Sequence, residues 1–597
     1  AHTSVASLPT PEDSVQEFRV GVSNNNASFN DSSGADITLV GRRGGNDFHG
    51  SAYFYNQNQH FNANSWTANR QNIAQTPFTD NRFGARLGGP IRKDKDFFFA
   101  NYEGRRFPAT STVTRTVPTA SLRQGILKFT DAAGNVDSYN LATAADCGAT
   151  GASACDPRGL GMSPAIAKLY SLEPIGNTTT VGDGLNTTGF VAPIRTPENT
   201  DYGVFRYDHN FNSNWQLHAS GTYFRDLVTT SGQVNTLGGN AVGTLDQPKR
   251  DTAFSGTLVG QISPTLLNSF TFGFVRDFSV SQPFSPTAAA ALENLPGTQT
   301  SDGFIALQSA ADGLNQPIDN SAGSARYQWT KVVDLQFVDD ATWLVGNHTY
   351  QFGADIRSFP TTHARNDKVV AGNSSLAAVI DGSTFLTIPG ADTPLTCSSS
   401  VTTNCLTKSE TNNWDSLYAT TLGLIDNVNI EAARDSKLNP LPFGTTLQAN
   451  ATWQAYNFSA SDTWRATPSL TLTYGLAYGW QTPPVERDQK QVVLEAAGTG
   501  QVLSASGYLG AKQGAALAGQ FYNPNLSYVP VQFAGRPVFN TDYGDVSPRL
   551  GAAWNPSYTH GLLGEVLGDR KSVVRGGISM VYDRTNMVQN VEIPMLG

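Results

Sequence analysis

Four cysteines are the most obvious reactive groups: Cys147 and Cys155, then Cys397 and Cys405. Each pair has seven residues between its members and sits in a stretch rich in Gly, Ala, Ser and Thr. A zinc site would want tighter spacing and histidine partners. Two local loop disulfides, formed in an oxidising compartment, fit better than four free thiols. The eight histidines are scattered, and none stands at a metal-binding interval from a cysteine or glutamate. The sequence has no G-x-S-x-G elbow and no Walker-type phosphate loop. Gly44-Gly45 and Gly88-Gly89 read as turns or bulges rather than phosphate cradles. Gly182-Asp183-Gly184 with Asn186 could touch Ca²⁺, but so short a match reads better as a loop turn. The expectation is no catalytic residue, no metal and no cofactor, and hence no enzyme.

The ionised residues follow a pattern. Arg82 and Arg86 are out of phase with Phe83, Ala85 and Leu87, and Glu103 and Arg105 with Phe98, Ala100 and Tyr102. The same offset separates Arg206 and Asp208 from Phe205 and Tyr207, and Asp355 and Arg357 from Phe352, Ala354 and Ile356. Successive side chains of a strand point to opposite faces, so each segment would have one apolar face and one charged face. An Arg or Lys on the lipid face of a barrel costs roughly 2–4 kcal/mol at the midplane and about 0–1 near the interfaces. Two residues break the rule. Asp462 shares a face with Tyr456, Phe458 and Trp464, and Arg276 shares one with Phe270, Phe272 and Phe274; both lie near strand ends.

The elements that carry these residues are strands. Alternation is clearest at Trp215, Leu217, Ala219, Gly221, Tyr223 and at Leu470, Leu472, Tyr474, Leu476, Tyr478, Trp480. Further segments are 51–60, 81–90, 97–107, 201–210, 251–262, 265–277, 329–344, 348–358, 447–465, 546–555 and 572–583, thirteen strands in all. The faces of 329–344 do not resolve, and 412–430 reads as a short helix in a loop. Short links at 91–96, 211–213, 263–264, 345–347 and 466–469 alternate with long ones at 61–80, 108–200, 225–250, 278–328, 359–446 and 481–545. A meander with tight turns at one end and long loops at the other is the pattern of an outer-membrane barrel. Soluble sandwiches and propellers also meander but seldom collect their long loops at one end.

Composition agrees. Aromatic residues are 10% of the chain and charged residues 15%, against roughly 25% charged in soluble domains. The net charge of -9 argues against a nucleic-acid partner. No apolar run approaches the roughly 20 residues of a membrane-spanning helix. No signal peptide is visible, as expected of a processed or truncated chain.

Several stretches carry a family resemblance: SVQEFRVGVSNNNASFNDSSGADITLVGRRGGNDF, NRFGARLGGPIRKDKDFFFANYEGRR, WQAYNFSASDTWRATPSLTLTYGLAYGW and SPRLGAAWNP. The chain resembles the Oar-type branch of the TonB-dependent outer-membrane receptors from about residue 14 to 584, most specifically at the junction before residue 48 and in the first three strands. The long loops carry none of the resemblance. The fold class it implies is an all-β, antiparallel, up-and-down transmembrane barrel with an N-terminal plug; such receptors have about 22 strands. Residues 1–47 would be the end of the plug domain, with Ile37-Thr38-Leu39-Val40 its last strand and Gly44-Gly45-Asn46-Asp47 the hinge. Residues 48–597 would be the first part of the barrel, thirteen strands of the full set. A single-chain bacterial barrel has an even strand number and tolerates no open edge in lipid, so the expectation is a fragment that cannot insert alone as a finished pore.

The resemblance implies ligand uptake across the outer membrane of a Gram-negative bacterium. The partners would be outer-membrane lipid, an unidentified extracellular ligand and the TonB energy-coupling protein, although no TonB box stands in this sequence. The expected plug–barrel contacts are Arg42 and Arg43 on the plug, facing Arg82, Arg86, Glu103, Arg105, Arg206 and Asp208 on the barrel. The loop aromatics Trp66, Phe78, Tyr170 and Trp414 are candidates for ligand contact. The alternatives are a surface adhesion or structural barrel without active transport, and a soluble all-β binding protein.

Overall fold

The protein is described from a computed structural model. It describes residues 10–21, 36–64, 66–70, 75, 78–283, 296, 299–300, 303–308, 328–365, 371–376, 379–380, 384–385, 388–429, 434–442, 445 and 447–583. Two short strands come first, β1 (Val15–Gly21) and β2 (Asp36–Gly41), paired antiparallel. Thirteen strands then run in sequence order through one antiparallel sheet. They are β3 (His49–Asn58), β4 (Thr79–Arg92), β5 (Asp96–Phe107), β6 (Glu198–Asn210), β7 (Trp215–Asn235), β8 (Val242–Ser263) and β9 (Leu266–Pro283). Then come β10 (Gln328–Val345), β11 (His348–Arg365), β12 (Leu447–Thr467), β13 (Leu470–Gln481), β14 (Val546–Trp554) and β15 (Val574–Ser579). The two-residue strand Val485–Glu486 lies beside β12 and completes a 14-stranded sheet. No helix among the described residues is long and apolar enough to cross a membrane.

Register decides the faces. Phe272 sits opposite Phe337 and Phe337 opposite Ile356, so β10 turns Leu335, Phe337 and Trp343 to the same side as the Phe stripe of β9. That cross-strand register is what the irregular 329–344 sequence lacked. Phe254 and Phe272 lie 6.4 Å apart and Phe272 and Phe337 5.4 Å apart, as an aromatic ladder. This side is open: Phe254 is 46% exposed, Phe337 45% and Phe352 48%. Large apolar groups left uncovered across many neighbouring strands mark a surface made for lipid rather than water. The β1–β2 hairpin lies on the opposite, polar side, called inward below.

One expected loop is strand. Residues 225–250 do not form a long link: β7 and β8 keep pairing to Thr230↔Leu245 and again at Asn235↔Val242. Apolar alternation fades beyond Tyr223 because the strands have left the lipid there, while backbone pairing continues. The link 278–328 is largely outside the described residues.

Two loops fold together. The β5–β6 loop holds the strand pairs Thr110–Pro118 with Thr187–Arg195 and Ile126–Thr130 with Val136–Asn140, plus a helix, Pro164–Leu172. The β11–β12 loop holds a helix at Thr411–Leu422, overlapping the 412–430 stretch read as a short helix, followed by a strand at Ile425–Asn429. Their side chains form one core: Leu122, Leu127, Phe129, Tyr139, Ile166 and Leu169 from the first loop, and Ile388, Leu406, Trp414, Leu417 and Leu422 from the second. Backbone hydrogen bonds cross between them, from Ala133 N to Thr402 O (2.9 Å), Gly148 N to Thr393 O (2.8 Å) and Ser163 N to Thr421 O (2.9 Å).

Candidate functional site

The inward face receives the hairpin. Asp13 and Ser14 precede β1, and Gly41 ends β2. Arg86 of β4 reaches the Asp13 carboxylate at 3.5 Å and donates to its carbonyl at 3.2 Å. Asn101 of β5 donates to the Ser14 hydroxyl at 2.8 Å, where both groups are buried. Arg206 of β6 donates to the Gly41 carbonyl at 3.0 Å. The three contacts come from adjacent strands and hold the open end of the hairpin, where Val15 pairs with Gly41. The two from Arg86 and Arg206 are charge-assisted, roughly twice as strong as neutral ones such as Asn101 to Ser14.

The segment 44–47 that follows is seated just as closely. A Cβ on Gly44 would lie 2.7 Å from the Gly89 carbonyl oxygen, so only glycine lets the chain pass this close to β4. Asn46 donates to the Asp94 carboxylate at 2.7 Å, and the Asp94 N–H donates back to Asn46 at 2.8 Å. The 44–47 segment is thereby tied to the tight turn between β4 and β5. Gly44 thus serves backbone packing, while a Cβ on Gly45 would meet nothing within 4 Å.

The other expected contact residues have barrel partners. Arg105 bonds Asp80 (2.9 Å) and Glu198 (2.6 Å), and Arg82 lies 3.8 Å from Asp80. Glu103 accepts from the Tyr53 hydroxyl at 3.0 Å. Asp208 is held by Arg206 (2.7 Å) and His218 (2.6 Å). On the hairpin side, Arg42 donates its backbone N–H to Ser14 and Arg43 is exposed, with no ion pair to Glu103 among the described residues. Asp13, Ser14 and Asn101 were missed by sequence reasoning. The available signal was an acidic group ahead of β1, the natural complement of the inward arginines.

The loops correct one expectation. Trp414 is 0% exposed and Tyr170 2%, so neither can meet a ligand at the surface. Trp414 packs against Phe129 (5.7 Å), Tyr139 (5.3 Å) and Tyr418 (5.8 Å), where burying apolar area outweighs exposing it. Trp66 is exposed and Phe78 half-buried. The sulfurs of Cys147 and Cys155 are bonded to each other, as are those of Cys397 and Cys405, one bridge in each of the two joined loops. Asp183 accepts on its Oδ1 from the N–H groups of Leu185, Asn186 and Thr187, the geometry of a loop turn. No cluster of three metal-ligating side chains occurs among the described residues.

Outside the membrane-crossing part, burial pushes the Asp415 carboxyl up to about 6, opposed by a backbone N–H from Ile388. Glu173, buried beside Arg123, is pushed well above the usual carboxylate range by desolvation.

Among solved structures, the chain is similar to the siderophore receptor PirA from Acinetobacter baumannii (TM-score 0.42, 10% identity, 98% of this chain and 50% of that one). It is also similar to a ferric enterobactin receptor variant, PfeA, from Pseudomonas aeruginosa (0.41, 10%, 97% and 51%) and to the copper transporter OprC (0.38, 8%, 91% and 48%). The chain spans about half the length of these proteins. No curated protein matches it in sequence. The sequence model described as "Outer membrane beta barrel domain" matches residues 40–595, nearly the whole chain, and the protein belongs to that outer-membrane family.

Proposed function

We propose that this chain is the plug–barrel junction of a TonB-dependent outer-membrane receptor that takes up an extracellular ligand. Residues 1–47 are the end of the plug and 48–597 the first part of the barrel. The observation that carries this reading is the hairpin seated on the inward face by Arg86, Asn101 and Arg206. A device that must block a wet lumen and still be displaced needs polar contacts that can exchange with water, and these contacts are of that kind. The joined β5–β6 and β11–β12 loops form the surface that meets the ligand first. An adhesion barrel without transport would present the same loops but would gain nothing from a latched, displaceable hairpin.

The test is the conductance of the full-length protein in planar bilayers. Arg86→Asp raises the leak by loosening the hairpin, and Arg86→Asp with Asp13→Arg restores it in part, a coupling of about 1 kcal/mol. Additive effects of the two changes would remove the latch. Deleting the energy-coupling protein leaves the leak unchanged but abolishes uptake; uptake that survives favours passive entry or adhesion.

A further inference from the structure

The outward face should be free of charge, and over most of its height it is. At its long-loop edge the charge is nearly all of one sign; the outward acids Asp96, Asp339 and Asp462 lie toward the short turns. Arg106 of β5, Arg225 of β7, Arg250 of β8, Arg276 of β9 and Lys331 of β10 all share the phase of the open aromatic residues: Arg106 with Tyr102, Arg225 with Tyr223, Arg250 with Phe254, Arg276 with Phe270, Lys331 with Phe337. The only outward carboxylate beside them among the described residues is Asp201 of β6, bonded to Arg106 at 2.8 Å and 3.9 Å from Arg225. The neighbouring acids Asp226, Asp251 and Asp277 alternate to the inward face, where Lys249 meets Asp251 and Asp277.

The height of these groups follows from counting. A tilted strand crosses the hydrocarbon in about 9–11 residues. Arg106 stands ten residues from Asp96 at the short-turn end of β5, and Arg225 ten from Trp215. Arg276 stands ten from Leu266, Arg250 thirteen from Ser263 and Lys331 fourteen from Val345. All five therefore emerge at the long-loop boundary of the membrane, directly above the apolar band. Phe278 and Trp329, 6.2 Å apart, lie beside Arg276 and Lys331 as interfacial aromatics do.

A second observation calls for a bound anion. Arg225 and Arg250 are direct cross-strand partners. Like charges in that position repel, and neither Arg250, Arg276 nor Lys331 has an acidic partner among the described residues. Five cations facing one carboxylate, at the level of the outer leaflet, complement a surface rich in phosphate.

We propose that Arg225, Arg250, Arg276 and Lys331, flanked by Arg106, form a docking surface for the phosphate groups of lipid headgroups in the outer leaflet. The lipid occupies the outside of the barrel and is separate from the ligand path.

The experiment uses the full-length protein in neutral detergent. The probes are bis-phosphorylated lipid A, the same glycolipid with both phosphates removed, and inorganic phosphate. Retained lipid is read by native mass spectrometry. The wild-type protein keeps the phosphorylated lipid and releases the dephosphorylated one. Each Arg→Gln or Lys→Gln change at 225, 250, 276 and 331 weakens retention about fivefold, whereas Lys249→Gln, on the inward face, leaves it unchanged. Arg→Lys at 225, 250 and 276 retains most of the binding, which separates loss of charge from loss of fold; heat-resistant migration on gels checks folding of every variant. Equal retention by the glutamine variants, equal retention of the dephosphorylated lipid, or displacement of the lipid by millimolar inorganic phosphate would each overturn the proposal.

Discussion

Truncating Trp414 to Ala tests whether the two long loops are one folding unit. The indole is fully buried and touches Phe129 and Tyr139, which belong to the other loop. Burial of a Trp side chain removes about 150–250 Å² from water, and Trp→Ala in a packed core costs about 3–5 kcal/mol. At about 1.4 kcal/mol per factor of ten, the open population of the loop unit rises roughly a thousandfold. Limited proteolysis reads that population directly when reclosing is fast relative to cleavage. In the full-length protein, Trp414→Ala should make residues 108–197 and 366–446 susceptible together and to a similar degree, with the strands still protected. Trp66→Ala, at an exposed position, should change nothing. If cleavage rose only within 366–446 while 108–197 stayed resistant, the shared core would not be what holds the first loop, and the reasoning would fail.

Two further outcomes follow from the same unit. The Asp415 carboxyl titrates near 6 when folded and near 3.9 when unfolded, so the folded state binds the proton more tightly. The Asp415 contribution to the stability of the loop unit is then greatest below about pH 4 and is lost between about 4 and 6; tryptophan fluorescence during urea unfolding should show this slope, Asp415→Asn should flatten it in that window while leaving the part due to Glu173, and an Asp415→Asn profile identical to wild type would contradict the assignment. Cys147 and Cys155 close a loop with a sequence separation of 8, so Cys147→Ser with Cys155→Ser should cost about 2.5 kcal/mol, read as a lower urea midpoint for the loops with no change in the strands.

The thirteen strands were legible because lipid imposes a period of two on one face and leaves the other free to carry Arg82, Glu103 or Arg206. Where that constraint ends, so does the signal. Leu227 and Pro248 pair in the sheet, yet nothing in their sequence neighbourhood alternates, and they read as loop. The faces of 329–344 needed the Phe272–Phe337 pairing, which is a relation between strands. Loop aromatics were misread for a similar reason: Trp414 looks like a surface residue until Phe129 and Tyr139, some 280 positions away, are brought around it. At the inward site the barrel arginines were visible from their phase. Their partners were not, because Asp13 and Ser14 precede the hairpin strand and only its docking shows which carboxylate meets which guanidinium.

The joined loops bear on how the molecule is made. Their core draws on segments anchored six strands apart in the meander, so it can close only after every strand from β6 to β11 has taken its place. The two cystines, in contrast, each link residues close in sequence within a single loop. They can be oxidised while the chain is still unassembled, with little chance of pairing wrongly. Biogenesis would then proceed by local oxidation, stepwise strand addition and a final clasp outside the cell, and the buried Trp414 would report that the intervening wall is in register.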